Sequence, residues 1–181
     1  MSNVMPLVYL AGPINGTDKD TATSWRRLAR EALIPFGIST VSPMRGKRDV
    51  DQDVFDGQPI DGHVFGGANA IYRRDRWDCM RADLVLVNLE RPSQERVPGV
   101  HYRLTYSQGG GFQDQYVDIA SLGTVMEIAW ADAAGVFTIA VIPEGSVHDH
   151  VLVKQACGVV VETLDEALRL VPLVLGVQHD D

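Results

Sequence analysis

Two cysteines in 181 residues, Cys79 and Cys157, are too few for a disulfide framework, and without a CxxC pair they do not make a zinc site. With no secretory leader at the start, they predict a reduced, cytoplasmic protein in which both thiols pack as small apolar groups. Long hydrophobic runs are also missing. The longest, near Leu170 to Val177, is interrupted by Pro172 and Gly176 and falls short of the roughly 20 residues a membrane span needs. Positive charge is scarce: 16 Lys and Arg against 24 Asp and Glu leave a formal charge of −8. That balance excludes a nucleic-acid polymer as partner, because neutralising phosphates takes clustered cations, although one small anion can still be held locally. Nucleotide fingerprints are lacking too. Gly109-Gly110-Gly111 has no helix to open, and Gly46-Lys47 lacks the spacing of a phosphate-binding loop.

What is present is a chain with 45% hydrophobic and 22% charged residues, enough for a real core and expected to form one domain over 1–181. Leu7-Val8-Tyr9-Leu10-Ala11 is a short apolar run ending at Gly12-Pro13, the pattern of a strand buried on both faces and closed by a sharp turn. Thr21 or Thr23 can cap the helix that follows, in which Trp25, Leu28, Ala29, Ala32 and Leu33 recur at helical spacing before Pro35 and Gly37 stop it. A strand is expected over 38–42, a long loop near 43–68, and a second helix over 69–80. Asp83 to Leu89 is the strongest buried strand, 91–120 reads as irregular, and a helix opens at Ser121. Further strands are expected over 137–142 and 158–161, with a turn at 143–146 and a short helix from His148 or Asp149 between them. Thr163-Leu164-Asp165-Glu166 is a capping box opening a last helix. Alternation of this kind predicts an α/β fold: a flavodoxin-like, doubly wound, five-stranded parallel sheet with helices on both faces and ligands at the carboxyl ends of its strands.

The chemistry is expected in Ser121-Leu122-Gly123-Thr124-Val125-Met126-Glu127. Positions 123, 124, 127, 128 and 131 share one helical face, so Glu127 looks out on the side of the helix start. Two readings stand for it: a surface glutamate on a partly exposed helix, or a carboxylate beside whatever that helix start binds.

Three stretches in this order carry a resemblance: Tyr9-Leu10-Ala11-Gly12-Pro13-Ile14; Arg74-Asp75 ahead of Arg81-Ala82-Asp83-Leu84-Val85-Leu86-Val87-Asn88; and Ser121 to Glu127. Together they resemble the nucleoside 2-deoxyribosyltransferase family across the chain apart from the two long loops. The resemblance implies a homo-oligomer that cleaves the N-glycosidic bond of a 2-deoxynucleoside through a covalent deoxyribosyl-enzyme intermediate. The partners it implies are a nucleoside or nucleoside 5-monophosphate and a free nucleobase, with no metal or organic cofactor. By motif, Glu127 matches the nucleophile, Asp75 the acidic residue on the base side and Tyr9 the aromatic residue of the first strand. Gly12 and Pro13 match the turn beneath the sugar. The chemistry agrees, since one carboxylate can trap an oxocarbenium-like sugar while a second carries the proton a leaving base needs.

The departure is Ser121, where family transferases often carry Asp for the sugar 5-hydroxyl and related hydrolases of deoxynucleoside 5-monophosphates carry Ser. Ser121 with the amides of Gly123 and Thr124 suits an anion at a helix start, while Ser121 as a simple N-cap is the plainer alternative. Asp75, among Arg73, Arg74 and Arg76, taken alone reads as an exposed ion-pair partner. Asp83 is expected to cap or orient the preceding helix end. Asn88 is either a polar contact in the crevice or a turn-former. His148 and His150 are expected in solvent, and Trp25, Trp77 and Trp130 in the core or an interface.

Overall fold

The computed structural model describes residues 5–46, 66–90, 102–108, 111–117 and 120–178, the segments 102–108 and 111–117 as backbone only. Five parallel strands, β1 (Leu7–Ala11), β2 (Ser39–Val41), β3 (Leu84–Asn88), β6 (Phe137–Val141) and β7 (Val159–Val161), form one sheet in the order β2-β1-β3-β6-β7. This is the flavodoxin-like order expected from the alternating pattern, and its direction reverses between β1 and β3.

Helices α1 (Lys19–Leu33) and α5 (Leu164–Leu175) cover one face over a core of Val8, Leu10, Leu84, Leu86, Ile139 and Val141. On the other face, α2 (Ala68–Met80) and α3 (Leu122–Ala134) pack over Tyr9, Ala11, Val85, Val87 and Ala140. Successive strand residues serve opposite layers because side chains alternate along a strand, so the unbroken apolar runs of β1 and β3 feed both cores. A short α4 (Val151–Gln155) follows the turn in which Ser146 N–H donates to the Pro143 carbonyl at 3.1 Å. The capping box at the start of α5 is formed as expected, with Thr163 Oγ1 accepting from Glu166 N–H. Among the described residues no helix is long and apolar enough to cross a membrane.

Four expectations are corrected. The cap of α1 is Asp18 rather than Thr21 or Thr23: its carboxylate accepts from Thr21 N–H at 2.7 Å and from the Thr21 hydroxyl at 2.6 Å, giving the first turn a charge that suits a helix start. The buried face of α1 is Ala22, Arg26, Ala29 and Leu33, leaving Leu28 and Ala32 exposed, because the helix is rotated so that an arginine faces inward. The span 91–120 is not wholly irregular. It contains an antiparallel hairpin of β4 (Tyr102–Gln108) and β5 (Gly111–Val117), and Tyr102, Leu104 and Tyr106 alternating with Arg103, Thr105 and Ser107 is its period-two signal. Finally, Asp83 does not cap a helix; its Oδ2 accepts Leu7 N–H at 2.7 Å and pins the start of β1 beside β3. Most of the loop near 43–68, residues 47–65, lies outside the described residues, as do Gly109 and Gly110.

Candidate active site

The turn leaving β1 can run where it does only because residue 12 has no side chain. A Cβ on Gly12 would lie 2.7 Å from the Asn88 carbonyl oxygen and 2.9 Å from the Trp25 ring. Glycine therefore lets the carboxyl ends of β1 and β3 close on each other at the point where the strand order reverses.

Tyr9, in the middle of β1, points into the α2/α3 layer, and its phenol donates to Glu127 Oε1 at 2.5 Å. Both side chains are buried, so Glu127 is no surface glutamate: Thr124, Glu127, Ile128 and Ala131 form the inward face of α3. The Tyr9 pKa is raised well above its ordinary value of 10.0, first by burial and then by the Glu127 and Asp75 charges, so the phenol stays protonated at neutral pH and acts as a donor. Cys79 of α2 donates its thiol to the Glu127 carbonyl at 3.1 Å, joining α2 to α3. Burial, then Glu127, pushes this thiol up to about 12.

Asp75 is an ion-pair partner but not an exposed one. It is 7% exposed, and Arg74 reaches its Oδ1 through Nε at 3.1 Å and Nη2 at 3.0 Å. Arg74 also donates to the carbonyls of Pro43 at 2.8 Å and Arg45 at 3.1 Å, which fixes the carboxylate against the loop after β2. One turn further along α2, Asp78 is fully buried between Arg45 and Arg81 and holds the same loop down.

Ser121 occupies the N-cap position of α3 without making the side-chain cap bond. Its hydroxyl is 2.9 Å from the Thr124 hydroxyl, and its N–H donates to His148 Nε2 at 2.7 Å. His148 is 2% exposed, which corrects the expectation of a solvent histidine. Because Nε2 accepts, the ring proton belongs on Nδ1, which lies 3.4 Å from Ser146 Oγ. His150 is exposed, and its Nδ1 accepts Leu152 N–H at the start of α4. Of the tryptophans, Trp25 packs partly against the α1/α5 core and Trp130 meets Tyr72 edge-on, whereas Trp77 is 59% exposed.

Tyr9, Asp75 and Glu127 are thus brought into one buried cluster, and Ser121 and Thr124 meet at the start of the helix that carries Glu127. Gly12 is buried in the turn after β1 with Pro13 half-buried beside it. Gly123 is on the exposed side of the helix start. Asn88 is buried, and its Oδ1 accepts Glu90 N–H at 2.9 Å, the turn-forming role. Sequence reasoning missed Arg26. Its side chain is buried and donates through Nε to the Leu10 carbonyl at 3.3 Å, through Nη2 to the Gly12 carbonyl at 2.9 Å and through Nη1 to the Ala22 carbonyl. The available signal was its spacing, since 22, 26, 29 and 33 form one helical face. Among the described residues no group of three or more His, Cys, Asp or Glu is placed to hold a metal ion.

No protein-family model matches the chain, and no curated protein matches it by sequence. Solved structures do match its fold. A conserved protein from Enterococcus faecalis V583 aligns with a TM-score of 0.57 at 15% identity, covering 94% of this chain and 99% of the other. A 2-deoxyribosyltransferase from Bacillus psychrosaccharolyticus aligns at 0.54 and 13% identity, covering 97% and 99%. A molybdenum cofactor binding protein from Rippkaea orientalis aligns at 0.50 and 14% identity, covering 96% and 99%. Such likeness shows a shared fold, which these neighbours use for different ends.

Proposed function

We propose that this protein is an enzyme that cleaves the N-glycosidic bond of 2-deoxynucleosides and passes the sugar to an acceptor base. One observation carries the reading: a buried carboxylate, Glu127, held by the Tyr9 phenol, lies in one cluster with a second buried carboxylate, Asp75. The shared fold with a 2-deoxyribosyltransferase agrees with it.

In this reading Glu127 attacks the anomeric carbon as the carbon–nitrogen bond to the base breaks. The bond's electron pair goes to the base nitrogen, which takes up a proton that the Asp75 carboxylate relays from solvent. The sugar is left as an ester on Glu127. An incoming base then attacks the same carbon, loses its proton to Asp75 and returns Glu127 as a carboxylate. Tyr9 fixes Oε1, and its donated hydrogen bond favours the ionised nucleophile. Gly12 and Pro13 form the turn beneath the sugar, and Ser121, Gly123 and Thr124 stand at its 5-position. The active unit is a homo-oligomer.

A second reading, hydrolysis of 2-deoxynucleoside 5-monophosphates, is favoured by the absence of any acidic residue in the first turn of α3. A carboxylate about 4 Å from a phosphate would cost roughly 4 kcal/mol at an effective dielectric near 20, whereas the hydroxyls of Ser121 and Thr124 impose no such repulsion. Incubation with a 2-fluoro-deoxynucleoside is expected to add one sugar mass to the peptide containing Glu127, and Glu127→Ala is expected to keep the circular dichroism of the parent while losing turnover. Label on another peptide, or Glu127→Ala activity within tenfold of the parent, would remove Glu127 as nucleophile. Product analysis with deoxyinosine and with a deoxynucleoside monophosphate, each with and without adenine, separates transfer from hydrolysis.

A further inference from the structure

Arg26 is a buried cation for which the proposed chemistry has no task. It lies on the α1/α5 side of the sheet, yet its guanidinium reaches over the carboxyl end of β1 to the carbonyls of Leu10 and Gly12, on either side of the turn that closes against β3. The Trp25 ring lies 4.5 Å from it. Its three hydrogen-bond acceptors are main-chain carbonyls, which carry no compensating charge. A buried cation so placed is costly unless anions lie near enough to offset it. Burial lowers the Arg26 pKa to about 10, opposed by Glu127 first, then Tyr9 and Asp75, so the group remains protonated at neutral pH and its charge acts on those carboxylates.

We propose that Arg26 is a positioning residue of the Glu127 site: it fixes the turn after β1 and holds a positive charge against the Glu127 carboxylate from the opposite layer. Among the described residues the groups acting on this cluster include Tyr9 from β1, Arg26 from α1, and Asp75 and Cys79 from α2, with Arg74 paired to Asp75 and Asp78 acting on Cys79. Arg26 is the cation in this set that is not already bonded to a carboxylate. Its attraction for Glu127 is reciprocal, so removing it makes protonation of Glu127 easier. The same guanidinium holds the carbonyls of Leu10 and Gly12, so one side chain serves both shape and charge.

The assignment of Arg26 rests on the reading of Glu127 as the site's central carboxylate, but its test does not need turnover. Glu127 is titrated by carbon-13 NMR of protein labelled at glutamate side-chain carboxyls, with Glu127→Gln identifying the resonance, in the parent, Arg26→Gln and Arg26→Lys. Arg26→Gln keeps a donor without the charge and is expected to raise the Glu127 midpoint by about one pH unit or more, with the acid limb of kcat/KM for deoxyinosine cleavage moving by the same amount. Arg26→Lys keeps the charge and is expected to stay within about 0.3 unit of the parent. An unmoved midpoint in folded Arg26→Gln overturns the proposal even if its melting temperature falls, because that result is a purely structural arginine. Should Arg26→Gln not fold, Arg26→Lys decides: a midpoint near the parent's supports the proposal and a rise of a unit overturns it. A shifted midpoint in a protein that cleaves no deoxynucleoside would retain Arg26 and discard the enzymatic reading.

Discussion

A phenol 2.5 Å from a carboxylate oxygen, with both side chains buried, does two things at once. It gives a buried oxygen a donor, and it favours the charged form of the acid. Tyr9→Phe keeps the ring that packs under α3 and removes only the donor, so the fold should persist while the Glu127 carboxylate is both less held and more easily protonated. Since hydrogen bonds to charged groups are worth about 1.5–3 kcal/mol, kcat/KM is expected to fall by roughly 10- to 100-fold. The acid limb of the pH profile should move upward, because a proton now competes for Glu127 at higher pH. A rate within twofold of the parent at every pH would show that the 2.5 Å contact is not part of the chemistry.

Helix starts supply two further tests at the scale of the element. Asp18 caps α1, and its pKa lies below the ordinary 3.8 because the Thr21 hydroxyl, then the Thr21 N–H, bond its ionised form. A depressed folded-state pKa contributes stability above the unfolded value, and that contribution is lost as pH falls through the lower folded value. Asp18→Ala is therefore expected to cost about 1 kcal/mol near pH 7, and the gap in melting temperature should narrow below about pH 4. A gap unchanged down to pH 2 would rule out a charged cap. At α3, Ser121→Asp places a carboxylate beside the Thr124 hydroxyl. Deoxynucleoside monophosphates should then be used less well through like-charge repulsion, while free deoxynucleosides hold steady or improve by roughly 1–3 kcal/mol from a charge-assisted contact to the 5-hydroxyl. The ratio of kcat/KM for nucleoside and monophosphate in parent and variant reads this directly. A parent that uses only the monophosphate and needs no acceptor base would make hydrolysis the activity.

At the scale of the molecule, the Gly12 backbone makes a close approach to the Asn88 carbonyl between strands 76 residues apart in register. Gly12→Ala puts a Cβ at 2.7 Å from that oxygen and 2.9 Å from Trp25, so β1 and β3 must part at their carboxyl ends. Overpacking of this kind costs about 1–3 kcal/mol, and it should reduce activity more than stability because the crevice, not the core, takes up the displacement. Thermal melting together with kcat/KM checks it. A variant with parental activity and parental melting would mean that the turn relaxes without moving the site.

The strands, their burial on both faces and the helix bearing Glu127 were legible because each is written in local periodicity: unbroken apolar runs for β1 and β3, a capping box for α5, threefold and fourfold spacing for α3. The hairpin of β4 and β5 was missed, because the alternation of its strands is interrupted by Gly109-Gly110-Gly111 and the span reads as irregular. By itself the sequence determined the alternating α/β fold and the residue types able to do sugar chemistry. Only the tertiary structure decided that Tyr9 meets Glu127 across 118 residues, that Arg26 rather than Leu28 turns inward, and that His148 is buried against Ser121 N–H. The reason is that a charged or polar side chain enters the interior only where partners from other elements compensate it, and which elements meet is settled when the sheet closes, not along any local stretch of chain.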